Sequence, residues 1–299
     1  LYKGEPDEGI AGREMDIPRG RVVGGSSSIN GLIFIRGQQN DFDEWERRGA
    51  KGWGFRDVLP HFRSIETFGG APSQFRGSTG PLQVSELRND NDLCDAWLAA
   101  ARESGLSDNP DFNGADAAGI GRYQLTLRGK WRDSAATAFL RPALRCPNLS
   151  LETSAWVLGL EIKGTRVSGI RYLQNGQVKV ASAAREVILA AGAIQSPQIL
   201  QLSGIGPADT LRNAGVEIVV DAPEVGANLQ DHLQMRTIVE LTDESQSLNT
   251  QIRNPFKAVS MGLEWLVRGS GPLTVGAGQV GGALCSRFAA VPWPPSMFS

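Results

Sequence analysis

Short apolar runs alternate with polar residues and turn signals between residues 149 and 191. Such runs, bounded by turn residues, are typical of β-strands. We expect strands at Leu149–Thr153, Trp156–Lys163, Arg166–Gln174, Gln177–Ala181 and Val187–Ala191. Asn175-Gly176 favours a tight hairpin turn between two of them. The pattern therefore predicts an antiparallel meander followed by a buried apolar strand.

Helical periodicity marks further segments, in which apolar residues recur at every third or fourth position. Asp41 is expected to cap a short helix that Gly49 ends, and Ser134 another that ends before Pro142. Longer helices are expected at Phe55–Phe68 with Val58, Phe62 and Ile65 on one face, at Asp92–Ser104 with Leu93, Trp97 and Ala100, and from Pro255 with Phe256, Val259, Leu263 and Leu266 up to Gly269.

A glycine- and serine-rich stretch, residues 18–37, is the first candidate for chemistry. Gly24 and Gly25 remove side chains where a ligand must come close to backbone, and Ser26, Ser27 and Asn30 follow. Backbone N–H groups at the start of a short helix, together with these polar side chains, could face one phosphate. The alternative is a plain surface turn, which such clusters often form.

A second stretch, residues 185–206, has the pattern of a strand, a tight turn and a helix. The predicted strand ends at Ala191-Gly192, and the helix is expected to open at Ser196 with Pro197 in its first turn. A later strand is expected at Val216–Val220, after a helix from Pro207 to Asn213.

Together the two stretches resemble the paired signatures of the glucose–methanol–choline (GMC) family of flavin-dependent oxidoreductases. The resemblance covers Gly20 to about Asp43 and Gly192–Gly206, and weaker matches such as Asn228–His232 follow in order. It implies FAD as the cofactor. By motif, Gly24, Gly25, Ser26 and Ser27 match the anion-binding loop, Asn30 and Gly31 match positions that meet the pyrophosphate or the ring, and Val157, Ala191 and Gly192 match the adenosine side. Val157 could equally be core, and Gly192 a simple strand-to-helix turn.

The resemblance also implies the fold class: α/β, mixed with α+β, with an incomplete FAD/NAD(P)-binding Rossmann-like domain and an antiparallel-sheet substrate domain. We expect an FAD-binding part with its lid at 1–57, a substrate part at 58–130, a second FAD-binding part at 131–240 and a second substrate segment at 241–299. The Gly-x-Gly-x-x-Gly turn that precedes these elements in the family is not found in the chain. Because Leu1 is also not an initiator methionine, the chain is interpreted as a fragment.

Composition excludes several function classes. The 30 Lys and Arg residues nearly balance 32 Asp and Glu, without a basic block, so no nucleic-acid partner is expected. The three cysteines are widely spaced, which argues against a disulfide framework and a metal site and favours a reducing cytoplasm. No membrane span is visible in the sequence. Membrane association of the full-length protein is left open.

The chemistry implied by the resemblance is oxidation of a primary alcohol, choline-like or aliphatic, to the aldehyde, with hydride transfer to flavin N5. The electron acceptor is either oxygen or a respiratory chain. No catalytic residue can be carried over, because the family's catalytic histidine corresponds to positions beyond Ser299. His61 and His232 are interpreted as structural, the latter because its neighbour Asp231 is a poor candidate for a catalytic pair. An inactive flavoprotein fragment, or a lyase or decarboxylase on the same fold, are the alternatives.

Overall fold

The computed structural model describes residues 1–232, 234–244 and 247–285. The chain divides into two compact units, which are described separately. The first unit comprises Leu1–Leu149 and His232–Ser299, and the second comprises Ser150–Asp231. Within the described residues, no helix combines the length and apolar character needed to cross a membrane.

Helices and strands are both short, and the content is mixed α/β. The helices are α1 Gln39–Arg47, α2 Phe55–Ile65, α3 Asp92–Glu103, α4 Arg141–Ala143, α5 Gly192–Leu202, α6 Ala208–Asn213, α7 Leu248–Arg253 and α8 Pro255–Arg268. Three-residue-per-turn helices occur at Glu8–Ile10, Gly25–Ser28 and Pro272–Thr274, and a wider π-helical turn at Ala136–Leu140 leads into α4.

The strands pair in small sheets. They are β1 Tyr2–Lys3, β2 Asp16–Ile17, β3 Glu66–Phe68, β4 Leu82–Val84, β5 Gly119–Arg122, β6 Leu127–Arg128, β7 Trp131–Arg132, β8 Trp156–Lys163, β9 Arg166–Gln174, β10 Gln177–Ser182, β11 Ile205–Gly206, β12 Val220–Asp221 and β13 Val280–Ala283. The pairs β1–β2, β5–β13 and β6–β7 are antiparallel, as is the three-stranded sheet β10–β9–β8, whereas β3–β4 and β11–β12 are parallel.

The apolar core of the first unit forms around two small clusters. One contains Leu32, Leu125 and Leu127, and the other contains Leu98, Ala101 and Ile120. The second cluster shows that the buried face of α3 was predicted wrongly. That helix buries Cys94, Leu98 and Ala101, while Leu93, Trp97 and Ala100 are exposed. The face is rotated by one residue because it packs on Ile120 of β5, a contact that the helix's own periodicity does not specify.

A charged network is buried beside this core. Both carboxylate oxygens of Glu66, which is fully buried, pair with guanidinium groups: Oε2 with Arg36 Nη2 and Oε1 with Arg76 Nε at 2.8 Å. Arg76 Nη1 continues the network to Asp111 Oδ1 at 2.7 Å. Burial lowers the pKa of the Arg36 guanidinium, and the carboxylate of Glu66 offsets part of that effect. The network ties the end of the glycine-rich stretch to β3 and to the 111–114 turn.

The boundaries of the early helices also differ from the predictions. Gln38, not Asp41, is the N-cap of α1, and Asp41 Oδ2 accepts a hydrogen bond from Gln38 N at 2.7 Å as the third residue of the helix. Helix α2 ends at Ile65, because Glu66 enters both the ion network and the parallel pairing of β3 with β4. Pro142 lies inside α4 instead of following it.

The meander of the second unit matches the prediction closely. Strands β8, β9 and β10 pair in order, and Asn175 and Gly176 both have positive φ in the hairpin turn. The strand predicted at Leu149–Thr153 is absent from the described ladders, and at Val216–Val220 only Val220 pairs, with Ile205. Val187–Ala191 likewise pairs with no described strand, and Ile188 is 80% exposed. A strand needs a hydrogen-bonding partner, and the described chain supplies none there.

Helix α8 forms as predicted, but its apolar face is not buried. Asn254 caps it by accepting hydrogen bonds from Phe256 N and Lys257 N, and Gly269 ends it at φ +64°. Met261 is its buried residue. The predicted stripe is at the surface: Phe256, Val259, Leu263 and Leu266 are each more than half exposed.

Candidate cofactor-binding site

The loop at the centre of the glycine-rich stretch, residues 20–31, has the backbone shape of a cradle. Gly24 and Gly25 have φ of +94° and +56°, and the chain then forms the short helix Gly25–Ser28. A Cβ on Gly24 would lie 2.4 Å from Ser28 Oγ, so a side chain is excluded there by space as well as by φ. A Cβ on Gly25 would meet no atom of the described residues within 4 Å. The loop is therefore tight on its inner side and open at Gly25.

The serine hydroxyls hold the loop itself. Ser26 Oγ accepts from Gly20 N at 3.1 Å, and Ser28 Oγ donates to Val23 O at 2.9 Å. Ser27 Oγ donates to Gly24 O and accepts from Ala135 N at 2.9 Å. These bonds give the hydroxyls a structural role that the sequence did not reveal. Contact of Ser26 and Ser27 with a ligand stays a prediction.

Asn30 and Gly31, the last two residues of the loop, make different kinds of contact. Asn30 Oδ1 accepts from Arg132 Nη1 at 2.6 Å and from Leu32 N at 3.2 Å, which leaves its amide NH₂ group as the available donor. Gly31 O accepts from Ala277 N at 2.9 Å, and a Cβ on Gly31 would lie 2.4 Å from Ala277 Cβ. Gly31 thus has a packing role, whatever it contacts in a complex.

Arg132 is the residue at this site that the sequence analysis missed. Its Nη1 also donates to Ser27 O at 3.2 Å, so that strand β7 is attached to the loop at two points. Arg132 lies in neither signature stretch, and no local pattern distinguishes it from the other arginines of the chain. Only the pairing of β6 with β7 brings it to the loop.

The residues present fit an anionic group. Residues 18–37 include Arg19, Arg21 and Arg36 and no Asp or Glu, and Arg132 adds a further positive charge. Arg36 is paired with the buried Glu66, and Gly25 N donates to Val22 O at 2.8 Å, so neither of these groups is available to a ligand. The open glycine and the remaining positive charge together match the phosphate-bearing part of FAD.

The predicted residues of the second unit lie on two elements of that unit. Val157 is a half-buried residue of β8 that pairs with Tyr172, next to an irregularity in the ladder. Gly192 is the first residue of α5 and has φ +88°, and a Cβ there would meet no atom within 4 Å in the part of the chain that the structure describes. The predicted start of this helix at Ser196 is therefore wrong. Ser196 Oγ instead accepts from Ala191 N at 3.1 Å, which fixes the turn before the helix.

The histidines give no catalytic constellation on their own. His61 is an exposed residue of α2, and its carbonyl oxygen accepts from Ser64 Oγ at 2.8 Å. His232 is also exposed. Their interpretation as structural residues stays a prediction.

Comparison with known proteins decides the family. The profile described as GMC oxidoreductase matches residues 9–234, which is most of the chain and includes both signature stretches. The chain belongs to the GMC oxidoreductase family. This assignment confirms the resemblance found in the sequence, and with it FAD as the cofactor of the family.

Relatives of this GMC chain include choline dehydrogenases. The oxygen-dependent choline dehydrogenase of Brucella anthropi is 40% identical over 265 residues, which cover 89% of this chain and 48% of that protein. The mitochondrial choline dehydrogenase of Homo sapiens is 40% identical over 297 residues, covering 99% of this chain and 50% of that protein. The chain thus spans about half the length of the curated relatives it matches.

Solved structures agree on the fold. An FAD-dependent oxidoreductase from Chaetomium thermophilum superposes with a TM-score of 0.82 and 27% identity, covering 95% of this chain and 52% of that one. Pyridoxine 4-oxidase superposes with a TM-score of 0.70 and 32% identity, covering 74% of this chain and 44% of that one. The mixed α/β class with an FAD-binding domain, predicted from the sequence, is confirmed.

Proposed function

We propose that this chain forms the FAD-binding part of an enzyme that oxidises a primary alcohol, choline-like or aliphatic, to the aldehyde. The observation that carries the proposal is the open, positively charged glycine loop at residues 20–31 in a member of the GMC family. The choline dehydrogenases among its relatives support the alcohol as the substrate class.

The residues of the chain would act mainly by binding and orientation. Backbone at Gly24, Gly25, Ser26 and Ser27 would hold the diphosphate, with the amide NH₂ of Asn30 as an added donor. Val157, Ala191 and Gly192 would contact the adenosine through main-chain atoms. When bound, FAD supplies the acceptor for the hydride removed from the alcohol carbon. The proton-accepting base is not assigned to a residue of this chain.

The wider assignments are part of the same proposal. Residues 1–57 and 131–240 would serve FAD binding, and residues 58–130 and 241–299 the substrate side. The electron acceptor is oxygen or a respiratory chain. The compartment is the cytoplasm, since unpaired cysteines fit a reducing environment: Cys94, Cys146 and Cys285 form no disulfide in the part of the chain that the structure describes.

The test is the visible absorption spectrum of the purified 299-residue chain after incubation with FAD and desalting. Retained bands at about 370 and 450 nm, typical of bound flavin, are expected if the described loops suffice to hold FAD. Choline and aliphatic primary alcohols are then added under anaerobic conditions. Bleaching would show that the alcohol reduces the flavin bound to this chain, and bands that persist would indicate a binding module without its own base. A colourless protein would contradict FAD binding by the chain alone.

A further inference from the structure

Arg132 connects a distant hairpin to the cradle loop. It is separated by 105 residues from Ser27 and by 102 from Asn30, yet its Nη1 donates to Ser27 O at 3.2 Å and to Asn30 Oδ1 at 2.6 Å. These two bonds use both hydrogens of Nη1. The guanidinium is therefore fixed in orientation relative to residues 27–30.

The rest of the guanidinium has no partner among the described residues. Its Nε–H and the two Nη2 hydrogens make no hydrogen bond there, and no described carboxylate forms an ion pair with Arg132. The residue is half-buried, so these donors remain accessible. Nε and Nη2 form the edge of the guanidinium that binds two oxygens of a phosphate side by side.

The adjacent carboxylate does not neutralise this charge, because Asp133 is already committed elsewhere. Asp133 is fully buried, and its oxygens accept from Gln83 N at 2.8 Å, from Arg128 Nη2 at 2.9 Å and from Thr137 Oγ1 at 2.8 Å. The hairpin β6–β7 thus has two arginines in opposite situations. Arg128 is paired with Asp133, and Arg132 is held by neutral oxygens of the cradle loop.

We infer that Arg132 is a positioning residue of the cradle, which holds residues 27–30 in place and presents its Nε–Nη2 edge to phosphate oxygens of FAD. The inference rests on the proposed function. A fixed, half-buried guanidinium loses little conformational freedom on binding an oxyanion, and its charge is less screened than that of an exposed side chain.

The experiment compares three variants of the 299-residue chain with the unmodified protein. Arg132→Met removes the forked guanidinium and its charge, and Arg132→Lys keeps only the charge. Arg141→Met is the matched control, since Arg141 is an exposed arginine of α4 whose side chain makes no hydrogen bond or ion pair among the described residues. Calorimetry measures binding of FAD and, separately, of inorganic pyrophosphate. Hydrogen exchange measures protection of the amides at residues 20–31 without any ligand, and circular dichroism checks folding.

We expect Arg132→Met to weaken binding of both anions roughly tenfold or more, because the charge-assisted pair of hydrogen bonds to phosphate is lost. Amide exchange in the loop should also become faster, because the hydrogen bonds to Ser27 O and Asn30 Oδ1 are lost. Arg132→Lys should recover part of the affinity for pyrophosphate, and Arg141→Met should match the unmodified chain. Unchanged anion affinity and loop exchange in Arg132→Met would overturn the inference, and if that variant still bound FAD the proposed function would stand. Pyrophosphate binding that depends on Arg132, without FAD binding, would support Arg132 as an anion-binding residue but would contradict both FAD binding by this chain and the assignment of FAD as the ligand of Arg132. Binding of neither anion would contradict both.

Discussion

Each of the two signature stretches of this chain places a glycine with positive φ at the start of a helical segment, but different contacts stabilise the two turns. In the cradle, Gly24 has positive φ and a helical turn follows at Gly25; in the second unit, Gly192 has positive φ and begins α5. Besides its local bonds, the cradle accepts hydrogen bonds from distant residues: Ala135 N donates to Ser27 Oγ, and Arg132 donates to Ser27 O and Asn30 Oδ1. The turn at Gly192 is held by one local bond, from Ala191 N to Ser196 Oγ.

This difference shows that a sequence motif can specify the backbone conformation of a loop without containing all the residues that stabilise it. The turn before α5 needs only residues within its own stretch. The cradle has, in addition to its local bonds, two hydrogen bonds from a hairpin more than 100 residues away along the chain. Variants that change one stabilising contact at a time test whether the cradle and the turn at Gly192 differ in this way.

The largest loss of stability is expected for Glu66→Gln, which disrupts the buried ion network of the first unit. The change leaves the buried guanidinium groups of Arg36 and Arg76 without their shared carboxylate, and breaking a buried pair in this way typically costs about 3–5 kcal/mol. Hydrogen exchange and thermal denaturation should show that the first unit is destabilised while β8–β10 keep their protection. Glu44→Gln, at an exposed pair with Arg47 and Arg48, is the control and should change little. Equal effects of the two variants would contradict the prediction.

A smaller effect is expected for alanine at the two glycines. Left-handed backbone costs a residue with a side chain roughly 1–2 kcal/mol, and this strain applies to both Gly24→Ala and Gly192→Ala. At Gly24 the new Cβ would also lie 2.4 Å from Ser28 Oγ and 3.1 Å from Ala136 Cβ, whereas at Gly192 it meets nothing within 4 Å. Denaturant unfolding should therefore show a greater loss of stability for Gly24→Ala. The reverse order would mean that the cradle relaxes more easily than its contacts indicate.

The smallest loss of stability is expected when the hydroxyl of Ser27 or of Ser196 is removed. Ser27→Ala removes bonds to Gly24 O and from Ala135 N, while Ser196→Ala removes the bond from Ala191 N. With a typical net value of about 1 kcal/mol for a hydrogen bond, the first variant should lose about 1–2 kcal/mol and the second about half as much. Amide exchange at residues 20–31 and at residues 191–196 measures the two losses separately. A Ser27→Ala variant with normal exchange in its loop would show that the hydrogen bond from Ala135 N to this hydroxyl does not stabilise the cradle.

The sequence predicted best the elements that depend on neighbouring residues. The bounds of β8 and β9 and the Asn175-Gly176 turn were confirmed, because a hairpin turn sets the register of the strands on either side. The start of α8 at Pro255 and its end at Gly269 were confirmed for the same local reason.

The predictions failed where a distant partner decides the outcome. The buried face of α3 is set by Ile120, and the end of α2 is set by the ion network of Glu66. Val187–Ala191 has the composition of a buried strand, yet no described strand pairs with it. At the site, the glycine and serine positions were visible in the sequence, whereas Arg132 was not, since its contribution arises from tertiary contact alone.

The position of Cys94 in the rotated face of α3 makes the three thiols of the chain kinetically distinct. Cys146 and Cys285 are exposed, while Cys94 is buried, and burial raises the pKa of its thiol. Alkylating reagents act on the thiolate and need access to the sulfur. Modification of Cys94 is therefore expected to need a local opening around α3, so its rate would report how often this part of the core opens.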